Sequence, residues 1–150
     1  MDANTDQNQN AEAFGSIPHK PPAKILIVED EMYLRIPLIH QLKSEGFAVY
    51  EAKDGMEGLE ISLREHPDLI LLDAMMPRMN GTEMFQKLRE DAWGKTAKVI
   101  MLTNSVEREV LKDIFGAGVP EYLVKSDWDL SELVEKVKYA LAAGEHRAGV

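Results

Sequence analysis

Short apolar runs alternate along the chain with longer stretches whose apolar residues recur every three or four positions. The runs lie in "KILIVED" (Ile25 to Val28), "FAVYEA", "DLILLD" (Leu69 to Leu72), "KVIMLT" and "EYLVK". Each has strand length. Four of the five are continuous, the mark of parallel strands covered on both faces. Between them the spacing predicts helices. The first runs over about 31–45 and stops at Gly46; the second spans Asp54 to His66, with Met56, Leu59 and Leu63 on one face. The third covers Gly81 to about Asp91, and Val106, Val110, Leu111 and Ile114 mark the fourth. The last carries Leu130, Leu133, Val134, Val137 and Leu141 behind Asp129 and Glu132, which read as a capping box. Strands alternating with helices predict an α/β fold with a doubly wound parallel sheet. Pro37 conflicts with the first helix, since an interior proline costs about 3 kcal/mol; a kink or a late start would resolve it.

In such sheets ligands bind beyond the carboxyl ends of the strands. Those ends are polar here. The first run ends in Glu29 and Asp30, the third in Asp73, the fourth in Thr103 and the fifth in Lys125. Parallel strands bring all of them to one edge. Crowded carboxylates disfavour one another's ionisation, and a divalent cation resolves the repulsion. Carboxylates, a carbonyl and waters suit Mg²⁺ better than zinc, and such an ion expects phosphate oxygens in its open positions. Lys125 adds a point charge for the same phosphate, and Thr103 adds a hydroxyl. One carboxylate oxygen is then available as a nucleophile toward a phosphoryl group.

Each residue alone has a blander explanation. A single Asp at a strand end is ordinarily a turn former. A single Thr is ordinarily a cap, and a single Lys a solvated edge residue. Met75 and Met76 alone read as gap-fillers. The signal is the set, one member at each strand end. Gly94-Lys95-Thr96 imitates the tail of a phosphate-binding loop. That pattern needs a glycine where Arg89 stands and a following helix, but a strand follows, so 92–97 reads as a surface loop.

Composition narrows the classes. A chain of 150 residues fits one domain. It has no cysteine, which excludes disulfides, thiolate zinc sites and cysteine nucleophiles. A net charge of -9 argues against a basic nucleic-acid face and against an anionic membrane surface. No apolar run approaches a membrane span, and the first residues lack an apolar signal-peptide region. Residues 1–23 are polar and read as a disordered tail, 24–143 as the folded domain and 144–150 as a frayed end. A reducing, cytoplasmic setting is expected.

The segments "ILIVEDE", "LILLDAMMPRMNG", "VIMLT" and "EYLVK", in that order, resemble the receiver domain of response regulators in two-component signalling. The resemblance covers about 24–143. It implies a flavodoxin-like fold of five βα units with strand order 2-1-3-4-5, an order for which this family is a known example. It also implies that Asp73 accepts a phosphoryl group from a phosphohistidine on a sensor histidine kinase or a histidine phosphotransfer protein. Glu29, Asp30, Asp73 and the backbone carbonyl of Met75 would hold Mg²⁺. Thr103 and Lys125 would bind the phosphoryl group, with Tyr122 as the aromatic switch. The output face would be the fourth helix, fifth strand and fifth helix, roughly 106–142, acting on a downstream protein target that the sequence does not name. Within the site motif, Pro77 would stiffen the loop and Gly81 permit a tight helix start.

Three positions depart from the family pattern. Ser126 stands where proline usually follows the lysine, so a trans Lys125–Ser126 bond is expected. Asn104 replaces a small residue beside the phosphoryl site and is expected to alter the lifetime of the phosphorylated state. Pro37 lies in the helix that usually docks the kinase. The expected function is a stand-alone, Mg²⁺-dependent phospho-switch. It is a signalling module rather than an enzyme, with slow self-dephosphorylation and room for a phosphorylation-linked homodimer. The alternative is a degenerate receiver that binds partners without phosphorylation; a phosphatase or nucleotide enzyme would need a second acid/base or a glycine-rich loop.

Overall fold

The computed structural model describes residues 21–104 and 106–148, with side chains assigned through 143. The chain runs β1 (Lys24–Val28), α1 (Met32–Ser44), β2 (Ala48–Ala52), α2 (Gly55–Glu65), β3 (Leu69–Asp73) and α3 (Gly81–Glu90). It continues through β4 (Val99–Thr103), α4 (Arg108–Gly116), β5 (Tyr122–Val124) and α5 (Leu130–Ala148). All neighbouring strands pair in parallel, in the order β2-β1-β3-β4-β5. The expected flavodoxin-like sheet is what forms.

The continuous apolar runs explain the two faces. Leu26, Val28, Ile70, Leu72, Val99 and Met101 point to one side, against Ile61, Met84, Phe85, Leu88 and Ile114. Ile25, Ile27, Leu69, Leu71, Ile100 and Leu102 point to the other, against Leu38, Leu42, Leu133, Val134 and Val137. Alternate residues of one strand thus serve two cores, and every position must be apolar. Each fully buried side chain of this size contributes about 1.5–3 kcal/mol by leaving water.

Local chemistry sets the helix starts. Asp54 accepts a hydrogen bond from the Glu57 N–H at 2.9 Å and starts α2. Asn80 and Glu83 form a reciprocal capping box on α3. Asp129 accepts from the Glu132 N–H at 2.9 Å and starts α5. Pro37 neither delays nor ends α1, which runs through it. Pro37 itself is exposed.

Two boundaries differ from expectation. β5 ends at Val124, and Lys125 opens a 3-10 turn over Lys125–Asp127. The α5 backbone stays helical through Ala148, past 143. The surface loop expected over 92–97 contains a 3-10 turn, Gly94–Thr96, between α3 and β4. The tail expected over residues 1–23 lies, up to residue 20, outside the described residues.

Candidate functional site

The sheet register sets the frame. Val28 pairs with Leu72, Asp73 with Leu102, and Thr103 with Val124. The next residues of β1 and β5, Glu29 and Lys125, therefore emerge beside Asp73. Glu29, Asp73 and Thr103 are buried, whereas Asp30 is exposed at the rim. One carboxylate oxygen from each of Glu29, Asp30 and Asp73 lies within 4.8 Å of the others.

Lys125 bridges the two buried acids. Its Nζ lies 2.5 Å from Glu29 Oε1 and 3.2 Å from Asp73 Oδ1. The second oxygen of Glu29 accepts from the Glu31 N–H at 3.2 Å, and Asp73 Oδ1 accepts from the Met75 N–H at 3.2 Å. Burial pushes the Asp73 carboxyl up to about 8, with Glu29 adding to the rise, against the pull of Lys125 and the Met75 N–H. Burial alone would lower the Lys125 ammonium; the Glu29 and Asp73 carboxylates outweigh it and hold it above its ordinary value. Two buried acids and one exposed acid face one half-buried cation. A second positive charge would restore Asp73 to its ionised form. An all-oxygen set of carboxylates suits Mg²⁺.

The loop after β3 is shaped to present Asp73. The Gly81 N–H donates to the Ala74 carbonyl at 3.0 Å, closing the loop over the strand end. A Cβ on Gly81 would collide with the Asp73 carbonyl oxygen. The glycine thus lets α3 start directly against the Asp73 backbone. Arg78, in the same loop, has a positive φ of 68° and reaches Asp54 at 3.4 Å.

Of the remaining expected residues, Asn104 and Ser126 follow the ends of β4 and β5, whereas Tyr122 opens β5 and pairs with Met101. Tyr122 is half-buried on β5, its ring edge-on to Phe115 with centroids 5.4 Å apart. Asn104 is exposed at the bend after β4, and Ser126 is exposed in the 3-10 turn. The Lys125–Ser126 bond is trans. Sequence reasoning missed Arg35, a buried cation of α1 that donates to the Glu29 carbonyl. The signal was present: Arg35 shares the stripe of Leu38 and Leu42 that α1 buries.

The response regulator receiver domain family matches residues 25–138. This chain belongs to that family. The Mycobacterium tuberculosis transcriptional regulatory protein PdtaR is 32% identical over 122 residues, 81% of this chain; the chain spans 58% of that protein's length. A CheY-like receiver domain from Methanospirillum hungatei matches with a TM-score of 0.76 at 30% identity, covering 84% of this chain and 98% of that one. The receiver domain of a Pseudomonas aeruginosa sensor histidine kinase, with a magnesium ion coordinated in its active-site cleft, matches with a TM-score of 0.74 at 25% identity. That match covers 81% of this chain and 98% of the other. The receiver is a signalling module of two-component systems, and phosphorylation and Mg²⁺ binding are general to the family. Among the described residues, no helix is long and apolar enough to cross a membrane.

Proposed function

We propose that this receiver takes a phosphoryl group on Asp73 from a phosphohistidine of a sensor histidine kinase or a histidine phosphotransfer protein. The observation that carries the proposal is the pairing of Asp73 with Lys125 at 3.2 Å inside a triad of acids with room for a cation. An Asp73 oxygen attacks phosphorus, and the P–N bond breaks with its electron pair left on the imidazole. Glu29, Asp30, Asp73 and the Met75 carbonyl would hold Mg²⁺, whose charge would stabilise the transferring group. Lys125 then pairs with a phosphoryl oxygen, and Thr103 supplies a hydroxyl from the adjacent strand end.

Exposed apolar residues beside the site fit a docking donor. Met32, Tyr33 and Ile36 of α1 are exposed, next to an apolar pocket lined by Tyr33, Pro37, Leu102 and Leu133. The output side is α4, β5 and α5, where Tyr122 reports the phosphoryl group through Thr103 to an unidentified protein target. The domain proposed for this work spans 24–143, and we place it in the cytoplasm.

The test is transfer from phosphoramidate, a small P–N donor, followed by peptide mapping of the adduct. The expected result is one Mg²⁺-dependent acyl phosphate on Asp73. An adduct elsewhere contradicts the proposal. Asn104→Ala should change the adduct's half-life, which a chase after donor removal would measure; an unchanged half-life removes Asn104 as a tuning residue.

A further inference from the structure

Asp30 poses a problem of aim. It is the exposed member of the acidic triad, and its carboxylate has no hydrogen bond among the described residues. Glu29 is held by Lys125 and by the Glu31 N–H, and Asp73 by Lys125 and the Met75 N–H. Only the backbone can therefore direct Asp30. That backbone is held from α1. Arg35 Nη1 donates to the Glu29 carbonyl at 2.8 Å and, at a longer 3.4 Å, to the Asp30 carbonyl. Arg35 Nε donates to Glu51 Oε2 of β2 at 3.0 Å.

We infer that Arg35 is the positioning residue of the metal site, fixing the Glu29–Asp30 backbone so that Asp30 projects into the cluster without support of its own. The inference rests on the acidic edge being a Mg²⁺ site. Three features favour it over a role in the fold alone. The guanidinium is buried, so its fork is rigid and its loss would take a partner from the carbonyl of the buried Glu29. Both carbonyls belong to the two acids that β1 delivers, rather than to the body of a helix or strand. The charge is already balanced by Glu51, which separates geometry from electrostatics. Taking the Glu29 and Asp30 carbonyls into the Arg35 fork also gives them a partner other than the cation. Glu51 orients the fork from the adjacent strand. A lysine cannot replace the fork, because a single ammonium lacks the fixed geometry that reaches two carbonyls and a carboxylate together.

The test is a calorimetric Mg²⁺ titration of the full chain, with the thermal midpoint of the metal-free protein measured alongside. Arg35→Met keeps the length of the stem and removes the fork. Its Mg²⁺ dissociation constant should rise by about 10–100-fold, the usual effect of losing a group that orients a metal ligand. At saturating Mg²⁺ its phosphorylation rate should return to within about twofold of the unmodified rate, because the lost function is metal placement. Arg35→Lys should fall between, and Glu51→Gln should weaken Mg²⁺ binding less than either. A folded Arg35→Met that binds Mg²⁺ as the unmodified chain does overturns the inference. Should Arg35→Met not fold, Arg35→Lys and Glu51→Gln decide by the same criterion: weakened binding supports the inference, and unchanged binding in both overturns it. An unmodified chain that binds no Mg²⁺ overturns the metal site itself, and the inference with it.

Discussion

The two sides of the acidic edge are built differently. On the β1/β3 side every strand residue from Ile25 to Val28 and from Leu69 to Asp73 is buried. The loops there are tied down by the Arg35 fork, the Gly81–Ala74 hydrogen bond and the Asn80 capping box. On the β5/α4 side, beyond a β4 that is buried throughout, β5 has three residues, of which Leu123 alone is buried. α4 buries Ile114 alone and leaves Phe115 59% exposed. The first side holds charged groups in place against their own repulsion. The second gives up packing and keeps aromatic and apolar surface in reach of a partner. Fixed placement of buried charges and exposure of an aromatic surface are opposite demands, and they fall on different parts of the sheet.

The largest test of that contrast compares truncations. Leu71→Ala removes a fully buried side chain from β3 and should cost about 3–5 kcal/mol in urea unfolding. Phe115→Ala on α4 should cost about 1 kcal/mol, mostly its edge contact with Tyr122. Equal losses would erase the distinction. Gly81→Ala comes next, at about 2–3 kcal/mol, because the new methyl meets the Asp73 backbone and cannot be absorbed by a side chain.

A smaller effect is electrostatic and has a definite sign. Asp73 has a folded value of about 8 against an ordinary 3.8. A raised carboxyl favours the folded state below its unfolded value, and this contribution is lost as pH rises through the folded value. In metal-free protein, Asp73→Asn should therefore gain stability over the unmodified chain as pH rises from about 4 to 8, by a few kcal/mol. Added Mg²⁺ should shrink that gap, and unfolding curves across pH with and without Mg²⁺ would measure both. A gap that is flat with pH would contradict the buried, repelled Asp73. The smallest effect is at Arg78, whose left-handed backbone is strained for any residue that carries a Cβ. Arg78→Gly should raise stability by about 1 kcal/mol, read from the shift in thermal midpoint, with the exposed pair to Asp54 worth little in return.

The sequence made much of this legible, for physical reasons. A strand buried on both faces must be apolar at every position, so β1, β3 and β4 were readable directly, and the polar residue ending each run marked the edge. β5 was readable in place but not in length, because the helical turn at Lys125 follows from its packing and not from the residue itself. The proline in α1 predicted a kink or a late start, and the helix begins at Met32 and runs through it. Arg35 escaped notice because its partners are backbone carbonyls, which leave no pattern in side-chain spacing. The helical stripe it shares with Leu38 and Leu42 was its only trace. The positions of Asn104, Ser126 and Tyr122 were legible as departures from or matches to the family, while their exposure was not.

The central claim is that Asp73 is a Mg²⁺-dependent phospho-acceptor. The most direct measurement is the intact mass of the chain after incubation with acetyl phosphate, with Mg²⁺ or with chelator, for the unmodified protein and Asp73→Asn. The account predicts a single phosphoryl adduct that requires Mg²⁺, decays after the donor is removed, and is absent from Asp73→Asn. An adduct that persists in Asp73→Asn, or none in a protein shown to bind Mg²⁺, would contradict it.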